Sequence, residues 1–364
     1  MPWLAKLYSK SVDWWLLLSV LLLVALGLVG IYSVDLSRGG ELIYFKKQLI
    51  AGGIGFVLLV LAGFRQYSFF RYTAKLWYLA SLLLLVGVLF FGRTIRGTTG
   101  WFVVMGFSFQ PVEVAKVGLI LMLGYVIANF GRRFERPLFF YGTLIISAAL
   151  MGLVMLQPDL GSAVMLGTVW FGIMLLVGAR RWHVLSLVGG VIALGILAWF
   201  FLLQPYQKDR LLTFMDPARD PLSSGYNVNQ SIIAVGAGQV LGRGLGFGSQ
   251  SQLRFLPEAQ TDFIFSVIGE ELGFVGVVVL LTLYGVLIWR LVRIIRETTD
   301  DFVAVVVSGI AILFFTQFFV NIGANIGILP VTGVTLPFVS SGGSSLMINL
   351  LLVGIAQSMV IRKY

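Results

Sequence analysis

Residues 14–32 read WWLLLSVLLLVALGLVGIY, nineteen positions without a charge and with one serine. A helix needs about 20 mostly apolar residues to cross a hydrocarbon core of roughly 30 Å. This run is too long for a signal-peptide core, and no small-residue cleavage pattern follows it, so it reads as a retained membrane span. Similar runs fall near 14–33, 48–64, 76–92, 111–129, 138–156, 162–179, 184–203, 264–289, 302–325 and 344–361. They predict an all-α polytopic membrane protein of about ten transmembrane helices. One large loop, 203–263, joins helices seven and eight, and the whole of 1–364 reads as a single domain.

Composition agrees with this pattern. Hydrophobic residues make up 58% of the 364 residues, charged residues 12%, and the mean hydropathy is +0.95. Soluble domains carry about 25% charged residues, so a soluble globular class is excluded. With no cysteine, neither a disulfide framework nor thiol chemistry is available. The net charge of +10 would suit nucleic acid, but the basic residues lie between apolar spans, where membrane topology explains them. With the N-terminus inside, the inner segments hold 15 Lys and Arg and the outer segments ten. Five of those ten (Lys208, Arg210, Arg219, Arg243 and Arg254) sit in the long loop, which counts little towards orientation. Both termini are therefore expected to be cytoplasmic.

Several kinds of chemistry have no residues to support them. His183 is the one histidine and reads as a headgroup anchor beside Arg180, Arg181 and Trp182. Six glycines fall between Gly236 and Gly248 but never as G-x-G-x-x-G, and they suggest a flexible loop lining a cavity. Ionisable residues at membrane depth are costly, so each is a candidate for function. Glu113 and Lys116 are three residues apart, hence on one helical face, as an ion pair or a recognition pair. Asp159, in Gln157-Pro158-Asp159-Leu160-Gly161-Ser162, suits either a helix cap or a place in an outer cavity. Asp262 stands where the long loop re-enters the membrane. A carboxylate at that boundary is partly desolvated and suits a general base; a helix cap, with Thr261 as competitor, is the alternative. Of Glu270 and Glu271, one is expected to face the bundle interior.

In this topology spans four, six, eight and ten start at the outer face, near Pro111, Asp159, Asp262 and Gly342-Gly343-Ser344-Ser345. Their positive dipole ends, with outer Lys and Arg, suit a phosphate or diphosphate. Phosphate at that depth beside lipid suggests a polyprenyl-diphosphate carrier.

These same motifs resemble the SEDS family (shape, elongation, division, sporulation) along nearly the whole chain. The resemblance is carried by Phe109-Gln110-Pro111-Val112-Glu113 with Lys116, by Gln157 to Ser162, and by Leu256-Pro257-Glu258 with Thr261-Asp262-Phe263. Gly269-Glu270-Glu271-Leu272-Gly273, Leu329-Pro330 and Gly342-Gly343-Ser344-Ser345 complete it. Gln204-Pro205-Tyr206-Gln207 and Gly248 to Leu253 are more similar to the elongation branch than to the division branch. Two positions depart from the family pattern: Gln260 stands where His is usual and Ser341 where Tyr is usual.

The resemblance implies a peptidoglycan glycosyltransferase of the bacterial cytoplasmic (inner) membrane that polymerises lipid II on the outer face. It also implies a class B penicillin-binding protein as transpeptidase partner, surrounding membrane lipid, and no nucleic acid. Carried onto this chain, it makes Asp262 the catalytic loop carboxylate. Glu113, Lys116 and Asp159 become substrate-binding residues; the need to neutralise a departing diphosphate adds Arg210, the helix-head Ser344 and Ser345, and a divalent cation, Mg²⁺ or Mn²⁺, that Asp262 can hold. A lipid II flippase and a non-catalytic scaffold are the rival readings. A flippase needs charged positions in the cytoplasmic half, whereas these candidates cluster in the outer half.

Overall fold

The computed structural model describes residues 12–37, 42–95, 97–104, 107–130, 137–201, 208, 212 and 224–360. Ten of its helices are long and apolar enough to cross a membrane. These are α1 (Trp14–Leu36), α2 (Ile43–Phe64), α3 (Tyr67–Phe91), α4 (Pro111–Phe130), α5 (Pro137–Met155), α6 (Leu160–Val177), α7 (Arg181–Phe201), α10 (Ile264–Glu297), α11 (Asp301–Asn325) and α12 (Gly343–Val360). The ten-span expectation therefore holds. Among the described residues between α7 and α10 lie two shorter helices, α8 (Ser224–Ala237) and α9 (Ser249–Gln252).

The chain also forms a feature that hydropathy did not suggest. Between α3 and α4, strands β1 (Arg93–Ile95), β2 (Thr98–Val104) and β3 (Phe107–Phe109) make a three-stranded antiparallel sheet in the order β1-β2-β3. Arg93 pairs with Trp101 and Val103 with Ser108. Strand β2 rests against the ends of α3 and α4, and β3 touches α12. All of these lie at one end of the bundle, called here the loop-side end.

Burial separates centre from periphery. Helices α4 and α12 are each buried over 83% of their spanning window, and α7 over none of its own. Around that centre α3 and α11 pack on α4, α2 packs on α12, and α1 packs on α10. Without a hydrophobic drive between helices in lipid, close packing depends on small residues. Gly354 of α12 is such a residue, because a Cβ there would stand 2.5 Å from the Leu59 carbonyl of α2.

Helix α10 is broken at Gly273 (φ 65°, ψ −161°), roughly 14 Å along from its start at 1.5 Å per residue. The break frees backbone groups at membrane depth, and these must be satisfied by protein. The glycine-rich stretch after α8 satisfies them. The Glu270 and Glu271 carbonyls accept from Arg243 N and Gly244 N, both at 3.0 Å. Phe274 N and Val275 N donate to the Gln239 and Val240 carbonyls at 2.8 and 3.1 Å. A Cβ on Gly242 would collide with the Glu271 carbonyl, so only glycine admits this approach. The stretch expected to be a flexible loop is instead tied to a transmembrane helix by its main chain.

Candidate active site

The residues leading into α10 are held through their backbone. Three successive carbonyls have partners on other elements. Gln260 O accepts from Ser341 N at 2.8 Å, and Thr261 O from Ser340 Oγ at 2.6 Å. Asp262 O accepts from both Asn325 Nδ2 (2.9 Å) and Asn321 Nδ2 (3.1 Å) on α11. The 340–342 turn is fixed in its own right. Gln48 of α2, 2% exposed, donates to Ser340 O at 3.0 Å and accepts from Gly342 N at 3.1 Å. Asn325 is locked by Ser266 Oγ, which donates to its Oδ1 at 2.7 Å. With its main chain immobilised, Asp262 presents a half-buried side chain at the head of α10. The N-cap position of α10 is Phe263, whose side chain makes no capping hydrogen bond, and Thr261 Oγ1 donates to Glu258 O at 3.2 Å.

The surrounding turns hold strained residues. Glu258 (φ 54°) and Phe338 (φ 66°) occupy the left-handed region without being glycine. Such strain costs of order 1–3 kcal/mol and collects at functional sites.

Asp159 is the N-cap of α6. Its Oδ1 accepts from Ser162 N at 3.0 Å and its Oδ2 from Ser162 Oγ at 2.7 Å. Gln110 Nε2 reaches the same Oδ2 at 3.2 Å, so this one carboxylate joins the heads of α4 and α6. Within the first turns of α4, Lys116 Nζ and Glu113 Oε1 form an ion pair at 2.8 Å, each residue 4% exposed. Glu113 Oε2 has no hydrogen-bond partner among the described residues. At the head of α12, Ser344 and Ser345 are buried, and Ser345 Oγ lies 3.2 Å from Thr335 Oγ1. Arg210 lies outside the described residues.

One expectation is corrected. Both Glu270 and Glu271 are buried, at 0% and 1% exposure, because the loop reaches them from two sides. Glu270 accepts from Gln250 N (2.8 Å) and Ser251 N (3.2 Å) at the start of α9. Glu271 accepts from Ser33 Oγ of α1 (2.6 Å) and Ser251 Oγ (3.2 Å). His183 stacks on Phe140 at 5.2 Å.

None of the site residues expected from the sequence is an amide. Gln48, Gln110, Asn321 and Asn325 carry much of the network. The signal was present, since Asn321 and Asn325 are four residues apart in an apolar span and share a face. The two departures from the family pattern, Gln260 and Ser341, turn out to be main-chain partners.

The chain matches the family model for cell cycle proteins of the FtsW, RodA and SpoVE type over residues 13–363. It is 39% identical to the probable peptidoglycan glycosyltransferase FtsW of Thiomicrospira cyclica, over 96% of this chain and 92% of that one. It is similar to a chain of a solved peptidoglycan synthase complex that coordinates polymerization and crosslinking. There the TM-score is 0.82 and the identity 35%, over 97% of this chain and 99% of that one. The crystal structure of the Thermus thermophilus rod shape determining protein RodA superposes with a TM-score of 0.72 at 33% identity, covering 97% of each chain.

Proposed function

Because the chain belongs to the FtsW, RodA and SpoVE family of cell cycle proteins, the SEDS family, and is a peptidoglycan glycosyltransferase, we propose that it polymerises lipid II into glycan strands on the outer face of the bacterial cytoplasmic membrane during cell elongation. The observation that carries this reading is the immobilised backbone of residues 260–262, which presents one carboxylate, that of Asp262, at the loop-side end.

Glycosyl transfer needs a base for the acceptor hydroxyl as its oxygen attacks the anomeric carbon, and positive charge where the diphosphate departs. In this reading Asp262 takes the proton. Lys116, Arg210 and the heads of α4, α6 and α12 meet the diphosphate, while Glu113, Asp159, Ser344 and Ser345 shape the substrate cavity. A divalent cation, Mg²⁺ or Mn²⁺, belongs to the proposal. Among the described residues no three His, Cys, Asp or Glu side chains gather into a cage. Asp262 is the residue that would hold it, since Mg²⁺ sites commonly use only one or two carboxylates. Bound there, the ion would neutralise leaving-group charge.

Both termini are cytoplasmic in this scheme and the loop-side end faces outward. The chain is 39% identical to the FtsW relative and 33% to RodA, so the motifs Gln204–Gln207 and Gly248–Leu253 alone carry the assignment to elongation. The transpeptidase partner is a class B penicillin-binding protein, a reading supported by likeness to the solved synthase complex.

The test is purified chain supplied with lipid II, with and without the transpeptidase, and assayed for glycan strands. Strands are expected. Lipid II crossing vesicle membranes with no strand formed would favour the flippase instead. Rescue of a division-deficient strain but not an elongation-deficient one would move the chain to the other branch.

A further inference from the structure

Asn349 lies seven residues into α12 and is 0% exposed. Its Nδ2 donates to Ser345 Oγ at 3.4 Å, one turn towards the loop-side end, and Ser345 Oγ meets Thr335 Oγ1 at 3.2 Å. Thr335 is half-buried, so this polar chain leads from the solvated turn into the bundle centre. At its inner end Asn349 Oδ1 has no partner among the described residues. Turning the amide over does not remove the deficit, because either orientation leaves one polar atom unmatched. Helix α4, which packs on α12, brings a second unmatched atom in Glu113 Oε2. Buried polar atoms are seldom left unmatched; Glu113 Oε2 calls for a hydrogen-bond donor whichever way the amide lies, and Asn349 for a donor or an acceptor.

That requirement selects among the parts of a carrier-linked saccharide. Diphosphate oxygens only accept, and against Glu113 Oε2 they would repel. A hydroxyl donates and accepts, and an acetamido group offers an N–H, so a saccharide satisfies both atoms in either amide orientation. We infer that Asn349 is a specificity-determining residue that hydrogen-bonds a hydroxyl or acetamido group of the lipid-linked sugar, with Glu113 Oε2 receiving a second donor. The assignment rests on the glycosyltransferase reading and specifies which part of the substrate Asn349 takes.

The experiment measures binding of two probes to the purified full chain by native mass spectrometry: lipid II, and undecaprenyl diphosphate without the sugar. Asn349→Leu should weaken lipid II binding about tenfold, the loss typical of a deleted buried hydrogen bond, and leave the sugar-free probe unchanged. The melting midpoint should hold or rise, since an apolar group of similar shape removes an unmatched atom. Asn349→Ala serves as the second variant, read in the same way, if the leucine form does not fold. Equal losses for both probes would reduce Asn349 to general cavity structure, and no loss for either would mean that the amide holds only an ordered water. Either result overturns the assignment. Wild-type chain that binds lipid II but forms no strands overturns the polymerase reading and leaves the saccharide contact standing.

Discussion

Asp13 and Glu113 are both 4% exposed, and both face a cation, yet their surroundings differ. Asp13 caps α1 by accepting from Leu16 N at 3.0 Å. It also accepts from Arg290 of α10 through Nε and Nη2 at 2.7–2.9 Å, so both its oxygens are engaged. Glu113 meets Lys116 through one oxygen and leaves the other without a donor. Burying a carboxylate is tolerable when its charge is paired and its lone pairs are used. The end of the bundle carrying Asp13 therefore spends its charges on joining helices. At the loop-side end Glu113 keeps one acceptor in reserve, as a substrate-binding carboxylate does.

This contrast can be broken most decisively at Asp262. Asp262→Ala should lower glycan synthesis by about 10²–10⁴-fold, the contribution of a general base, with insertion and melting unchanged. Strong polymerisation by the purified variant would end its assignment. Asp13→Ala should show the opposite pattern. It leaves Arg290 without its buried partner and should cost about 3–5 kcal/mol of stability, while activity per folded molecule persists. An inactive but stable Asp13→Ala protein would erase the distinction between the two ends.

Glu113 and Lys116 offer a finer test by double-mutant cycle, scored separately for melting and polymerisation. Lys116→Ala alone strands a buried Glu113, so the double replacement should recover about 0.5–3 kcal/mol relative to additive losses, yet stay inactive. Restored activity in the double variant would make the pair structural, like Asp13 with Arg290. The smallest effect is expected at Asp159, where loss of a cap costs about 1 kcal/mol and should lower melting and activity together. If Asp159→Ala is fully stable but inactive, Asp159 joins the catalytic set.

Much of this site was legible before any coordinates. The i,i+3 spacing of Glu113 and Lys116 foretold their ion pair, and Asp159 before Leu160-Gly161-Ser162 foretold a cap. The sheet was not legible by hydropathy, although Thr98–Val104, with its β-branched and aromatic residues after Gly97 (φ 81°), suits a strand. Gln48 looked like an ordinary interruption of an apolar run. Its role depends on Ser340 and Gly342, almost three hundred residues away.

The sequence by itself determined the ten spans and where the costly charges fall. Hydropathy sums over a local window, and a charge in lipid is penalised whatever its neighbours. Only the tertiary structure decided which of those charges were saturated and which were left with an open valence. It also decided that α10 could break at Gly273, because the carbonyls freed there are matched by amides of residues 243 and 244 from another segment. Hydrogen-bond satisfaction is a property of pairs, and the partners here are distant in the chain and adjacent only once it has folded.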